Sequence, residues 1–349
     1  MEKRKIDFVA ICVSKWHLNN LIAVISLKKL SKGVLFILPQ GNFNDTSRYR
    51  LTSEDIQQYK EYFTKIEFSN FNFSFKTTLD NIFFNLFKKN KTYIISPGTI
   101  NLNVLGKIKL NAKPNFIVID EGTASYVSLN EHLKISNKTT NDKNNFLNWI
   151  KTLTKSKTYV ILKFLTPVSY NYLFTNNNNN YERNKRIALS LRKVYLEKEK
   201  HNKYKKSNRK KILLLIDFYT EFGKQILFEK LYKNIINELS CKYEIFIKPH
   251  PNDSLTFVKG SKYIHIIDKK IDAETLTACV HPDIIIGGIS TSTYSIPAIF
   301  DITSISLLEI YLKLDGLDKD YENRFKFFKN NFAENVIYPK NINELIKLL

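Results

Sequence analysis

Three short clusters in the sequence gather side chains able to move protons or hold anions. The first is Asp120-Glu121-Gly122-Thr123-Ala124-Ser125-Tyr126. Two adjacent carboxylates before a glycine can present one of them as a general base, provided it reaches the hydroxyl it deprotonates. The plain alternative is a pair of solvated loop acids, with Gly122 supplying a positive φ. The second cluster is Lys248-Pro249-His250-Pro251-Asn252. Proline fixes its own φ and restricts the residue before it, so His250 sits on stiffened backbone. An imidazole with a fixed direction suits contact with a phosphate or donation of a proton. An exposed or structural histidine is the alternative. The third cluster is Gly287-Gly288-Ile289-Ser290-Thr291-Ser292-Thr293-Tyr294-Ser295. Glycines allow a tight turn, and hydroxyls with amides at a helix start make an anion pocket. Serine and threonine also cap helices without binding anything.

Other chemistries find less support. The sequence has no His-Glu-x-x-His or Cys-x-x-Cys spacing for a metal, so no metal ligands are assigned. It has no Gly-x-Ser-x-Gly elbow, no P-loop and no Gly-x-Gly-x-x-Gly fingerprint. His281-Pro282 repeats the His-Pro dipeptide but reads as a turn into the next strand.

The elements around these clusters alternate. Ile6–Ser14, Val34–Pro39, Lys65–Ser69, Thr92–Pro97 and Asn115–Asp120 are short apolar runs with helix-length segments between them, including Trp16–Leu30. Such runs fit strands buried on both faces of a parallel sheet, built from βαβ units. After Lys211 the pattern resumes with strands at Ile212–Phe218, Tyr243–Lys248, Tyr263–Asp268, Asp283–Gly287, Ile302–Leu307 and Asn335–Tyr338. Helices are predicted at Lys224–Leu239, Asp272–Val280 and Ile342–Leu349. Between the halves lie five asparagines, Asn176 to Asn180, and a basic stretch, Lys200–Lys211. The expected architecture is α/β, with two doubly wound, Rossmann-like domains facing a central cleft. The first spans residues 1–160, a helical or linker region 161–211, and the second 212–349. All three clusters then fall at carboxyl ends of strands, where open α/β sheets bind ligands.

The 349 residues carry 54 Lys and Arg against 33 Asp and Glu, a net charge of +21. A chain this basic suits acidic partners: nucleic acid, an anionic membrane face, or phosphorylated and carboxylated substrates. The hydrophobic fraction of 43% excludes a wholly disordered chain. Three scattered cysteines, Cys12, Cys241 and Cys279, make no disulfide framework and read as thiols in a reducing compartment. The charged N-terminus is a poor secretory signal, and no run of about 20 apolar residues follows. A cytoplasmic protein is expected, with peripheral contact at an anionic inner membrane face left open.

In this order and spacing the three clusters resemble the motifs of bacterial sialyltransferases of the GT-B fold. The resemblance is nearest to glycosyltransferase family 52 and the capsule polysialyltransferases. Their acidic pair plus glycine corresponds to Asp120-Glu121-Gly122, their His-Pro motif to His250-Pro251, and their Ser/Ser or Ser/Thr motif to the Ser290–Ser295 loop. The resemblance implies an inverting, metal-independent transfer of sialic acid from CMP-sialic acid to a glycan or glycolipid acceptor, lipooligosaccharide or capsule. No cofactor is implied beyond that donor. Asp120 or Glu121 would be the base, with a slight preference for Glu121. His250 would contact the leaving phosphate and protonate it. Ser292 with Thr293, or Ser290 with Thr291, would hydrogen-bond that phosphate. Gly122, Lys248, Pro251 and Gly288 would complete the binding surface. A homodimer remains open.

Three alternatives stand beside it. A Lys-x-His-Pro segment with a later Ser-rich loop also resembles the teichoic-acid or capsule polyol-phosphate transferases, which use a CDP-alcohol. Transfer of another CMP-ulosonic acid is a further alternative. The rival from a different class is a basic nucleic-acid-binding protein. It is disfavoured because most Phe and Tyr lie inside apolar runs rather than interleaved with Lys and Arg on one face.

Overall fold

The computed structural model describes residues 6–38, 51, 53–68, 85, 88–98, 110, 112–120, 168–177, 180–197, 208–217, 225–250, 255–314, 319–332 and 336–349. One compact unit extends to Tyr172, and a second begins at Leu173.

The first unit is built on six strands: β1 (Phe8–Cys12), β2 (Gly33–Ile37), β3 (Phe63–Phe68), β4 (Lys91–Pro97), β5 (Lys113–Ile119) and β6 (Val168–Asn171). They pair in the order β3-β2-β1-β4-β5-β6, every neighbour parallel. Phe8–Cys12 is buried at every position, as expected of a strand covered on both faces. Val9, Ile11, Val34, Phe36, Ile94, Phe116 and Val118 form one core cluster. Helix α1 (Lys15–Lys28) follows β1 at once. Ser14 caps it by accepting the His17 N–H at 3.3 Å, and the left-handed Lys29 ends it. Helix α2 (Ser53–Gln57) precedes β3.

The second unit repeats the plan with β9 (Lys211–Leu215), β10 (Glu244–Lys248), β11 (Ile264–Ile266), β12 (Ile284–Gly287), β13 (Thr303–Ser306) and β14 (Val336–Ile337). Their order is β11-β10-β9-β12-β13-β14, again all parallel. Both sheets therefore have the doubly wound 3-2-1-4-5-6 order, the α/β class expected of the sequence. Each has a switch point, between β1 and β4 and between β9 and β12.

The region expected as helix or linker, 161–211, has more structure than its composition suggests. Val168–Asn171 adds β6 to the first sheet. Strands β7 (Phe174–Asn177) and β8 (Asn180–Arg183) form an antiparallel hairpin around the asparagine run, and α3 (Lys185–Glu197) follows. Phe174 explains why the hairpin docks: its ring packs edge-on against Phe332, 5.3 Å between centroids. The basic residues 200–207 lie outside the described residues.

Helices α4 (Gln225–Ser240), α5 (Ala273–Val280), α6 (Thr291–Phe300), α7 (Leu308–Tyr311), α8 (Lys319–Asn331) and α9 (Ile342–Leu348) complete the second unit. His281 is the left-handed cap of α5 and Pro282 follows it, so the second His-Pro dipeptide is a turn into β12, as predicted. Pro297 sits inside α6, where proline removes the donor to the carbonyl four residues back. That carbonyl, Thr293 O, instead accepts Ser304 Oγ at 2.8 Å.

Candidate functional site

In the second unit the residues after β9, β10 and β12 lie side by side at the carboxyl edge of the sheet. Leu215 pairs with Lys248 and Leu214 with Ile286, so Asp217, His250 and the Gly288–Ser290 turn leave from neighbouring strands. This edge contains the switch point, where doubly wound sheets bind ligands.

Asp217 is the residue that sequence reasoning missed. It is 2% exposed. Its Oδ1 accepts the Ser290 N–H at 3.1 Å, and its Oδ2 accepts the Tyr311 hydroxyl at 2.8 Å. The Tyr232 hydroxyl lies 2.6 Å from that of Tyr311 and accepts the Asp217 N–H at 3.3 Å. Burial pushes the Asp217 carboxyl up to about 6, against hydrogen bonds from Tyr311, Ser290, Ile289 and Tyr232 that favour its ionised form. The same burial, with the Asp217 charge, holds both tyrosines well above their usual range.

Gly288 makes this packing possible. A Cβ there would stand 1.9 Å from Asp217 Oδ2 and 2.4 Å from the Tyr311 ring. Its carbonyl accepts Ser306 Oγ at 3.3 Å. Ser290 then caps α6, its side chain accepting the Ser292 N–H at 3.4 Å.

The loop hydroxyls are not equivalent. Ser290, Thr291 and Ser292 are half-buried, whereas Thr293 is fully buried. Thr293 Oγ1 sits 2.4 Å from where a Gly287 Cβ would be, which places it between the helix and β12. Of the two hydroxyl pairs that the motif offered, Ser290 with Thr291 keeps both members near the surface. Behind the turn, Glu274 of α5 is buried and accepts the Ser295 hydroxyl at 2.5 Å, with Ser292 also bonding to it. Burial raises its carboxyl above the usual range.

His250 is half-buried just past Pro249, while Pro251 lies outside the described residues. Lys248 is 6% exposed, and its ammonium donates to Pro249 O at 2.6 Å and Lys269 O at 3.1 Å. Burial lowers it to about 8. With its charge turned to two carbonyls, Lys248 braces the turn that carries His250.

In the first unit Asp120 follows β5 directly and is 1% exposed. Glu121 and Gly122 lie outside the described residues. Beside it, Gly98 takes a left-handed φ of 64° after β4, its N–H donating to Ile119 O at 3.0 Å. Across the switch point stands the first turn of α1. There His17 is 6% exposed, and burial lowers its imidazole to about 4, so it is neutral at pH 7. Among the described residues its Nδ1 and the buried Trp16 Nε1 find no hydrogen-bond partner.

Among the described residues no group of three or more His, Cys, Asp and Glu could hold a metal, and no helix is long and apolar enough to cross a membrane.

The sequence model of the alpha-2,8-polysialyltransferase family matches residues 8–309, a span that crosses both units and all three clusters. Solved structures to which the chain is similar include the following two. The UDP-GlcNAc 2-epimerase of Methanocaldococcus jannaschii has 11% identity and a TM-score of 0.51, covering 97% of this chain and 90% of that one. The wall teichoic acid polymerase TagF has 10% identity and a TM-score of 0.43, covering 99% and 87%. No curated protein sequence matches.

Proposed function

The chain belongs to the alpha-2,8-polysialyltransferase family of glycosyltransferases, and from that premise we propose that it transfers sialic acid from CMP-sialic acid to a glycan acceptor. The observation that carries this reading is the family match across residues 8–309, with both His250 and the Ser290 turn at the carboxyl edge of the second sheet.

In this reading the second unit binds the donor. Ser290 and Thr291 meet its phosphate, with Ser292 at the same turn. His250, on its braced turn, contacts that phosphate and supplies the proton as CMP leaves. Positioning and charge stabilisation suffice for much of the rate, because CMP is already a good leaving group. Transfer inverts the anomeric centre and requires no metal.

The acidic cluster of the first unit serves the acceptor. Asp120 is buried, which suits a carboxylate that fixes the loop, and Glu121 is then the one that takes the acceptor proton. The acceptor is a surface glycan, lipooligosaccharide or capsule, and itself acidic, in keeping with the net charge of +21. The same charge favours a peripheral position on the anionic inner membrane face.

The test is donor competition. Purified protein is offered CMP-sialic acid, CMP-Kdo and CDP-glycerol, and nucleotide release is followed with and without an oligosialic acceptor. Acceptor-dependent CMP release from CMP-sialic acid alone is the expected result. Release from CDP-glycerol alone would replace the reading with polyol-phosphate transfer.

A further inference from the structure

Helix α6 has no acidic residue in its own first turn, yet two buried carboxylates from elsewhere serve that turn. Asp217, after β9, holds the Ser290 N–H, and Glu274, from α5, holds the Ser295 and Ser292 hydroxyls. A helix start ordinarily offers its amides and its positive dipole end to an incoming anion. Here the Ser290 amide already holds an internal anion. A phosphate arriving at this turn therefore meets a negative charge one residue's reach away.

We propose that Asp217 takes up a proton from solvent when the donor phosphate docks on the Ser290–Ser292 turn, so that donor binding is coupled to proton binding at this buried carboxyl. The inference rests on the reading that this turn holds the phosphate.

The surroundings of Asp217 accommodate either protonation state. Ionised, its Oδ2 accepts from Tyr311, which in turn accepts from Tyr232. Protonated, Oδ2 donates to the Tyr311 oxygen, Tyr311 donates to Tyr232 across the same 2.6 Å contact, and the Tyr232 hydroxyl turns its own hydrogen to Oδ2 at 3.5 Å. Oδ1 keeps the Ser290 N–H in both states, so the turn keeps its shape. The groups acting on Asp217 are Tyr232 from α4, Tyr311 from α7 and the Ile289 and Ser290 amides of the turn. Tyr294 of α6 feels its charge in turn.

The magnitude is sufficient. Burial has already brought the carboxyl to about 6. A phosphate charge on the order of 6 Å away, at an effective dielectric near 20, raises a carboxyl midpoint by about 2 pH units. That carries Asp217 through neutrality on binding, an uptake of roughly 0.8 proton at pH 7. Binding consequently tightens as the pH falls from about 8 towards 6.

Two measurements test this. The first needs no ligand. In protein with carboxyl-labelled aspartate, the infrared difference between the natural chain and Asp217→Asn should show a carboxyl titrating near pH 6. A midpoint in the ordinary range near 4 overturns the proposal. The second is calorimetry of CMP binding at pH 7 in buffers of different ionisation enthalpy. The natural chain should take up roughly 0.8 proton more than Asp217→Asn, which leaves any uptake by His250 in place. Glu274→Gln should keep the difference. Tyr311→Phe, which removes a hydrogen bond favouring the ionised form, should raise the free midpoint and shrink the uptake. Equal uptake by the natural chain and Asp217→Asn overturns the proposal. If the natural chain does not bind CMP, the donor reading fails by itself. Inorganic phosphate then becomes the infrared probe, and a midpoint that phosphate does not raise overturns the coupling.

Discussion

Replacing Gly288 by alanine tests the packing at the centre of the second unit. The added methyl would stand 1.9 Å from Asp217 Oδ2, 2.4 Å from Tyr311 Cε2 and 2.8 Å from the Tyr311 hydroxyl. None of these can move cheaply. Asp217 is fixed by Ser290 and Tyr311, and Tyr311 is fully buried against Phe228 and Phe325. Overpacking of this kind costs about 1–3 kcal/mol. If the Ser290 or Tyr311 bond to the carboxylate breaks as well, about 1.5–3 kcal/mol is added. With both contributions the expected loss is about 2.5–6 kcal/mol, a fall of roughly 1–3 M in the urea midpoint of the second unit at a slope near 2 kcal/mol per M. The sequence supplies an internal control. Both tryptophans, Trp16 and Trp149, precede Tyr172, so tryptophan fluorescence reports the first unit and should not change. Hydrogen exchange of β9 and β12 in rising urea reports the second. Adding Asp217→Ala removes the nearest clashing atom, so the double variant should be more stable than the summed singles by at least about 1 kcal/mol. A Gly288→Ala protein within about 0.5 kcal/mol of the natural chain would refute the packing argument, and strict additivity would refute Asp217 as the obstacle.

The remaining expectations concern the proposed chemistry and the first unit. His250→Ala should lower nucleotide release about 10²–10⁴-fold while the protein stays folded, and unchanged turnover removes His250 from the mechanism. Glu121→Gln should abolish transfer and keep CMP affinity, whereas Asp120→Asn should lower transfer less and destabilise the first unit. Wild-type transfer by both variants would make the pair structural. His17 predicts an acid limb in the stability of the first unit. Its folded value of about 4 lies below the ordinary 6.5, so the unfolded chain binds the extra proton. Stability is then full above pH 6.5 and falls by roughly 3 kcal/mol as the pH drops to 4. Trp16 fluorescence follows it, and His17→Gln should flatten the limb.

What the sequence made legible follows from how parallel sheets are buried. A strand covered on both faces is apolar along its buried length, so Phe8–Cys12, Lys211–Leu215 beyond its first residue, and Ile284–Gly287 stand out as runs without any alignment. The site clusters follow strands of this kind: Asp120 comes after β5, His250 after β10 and the Gly288–Ser290 turn after β12. The tertiary partners of those turns are harder to read. Asp217 looks like a lone acid after an apolar strand. Its significance lies in Tyr311, 94 residues on, and Tyr232, 15 residues on, and neither spacing marks a local motif. Glu274 resembles an ordinary helix first-turn acid until Ser295 is seen to bond it. The Ser/Thr run shows the same division at single-residue scale. Residue types make Ser290, Thr291, Ser292 and Thr293 equally fit for a phosphate. In α6 every residue from Thr293 to Phe300 is buried, so Thr293 goes in with the body of the helix while Ser290, Thr291 and Ser292 stay at its half-buried start. Where that burial begins along the Ser/Thr run depends on where the helix starts. The start is set by Ser290 as cap, which the buried Asp217 carboxylate holds from another strand.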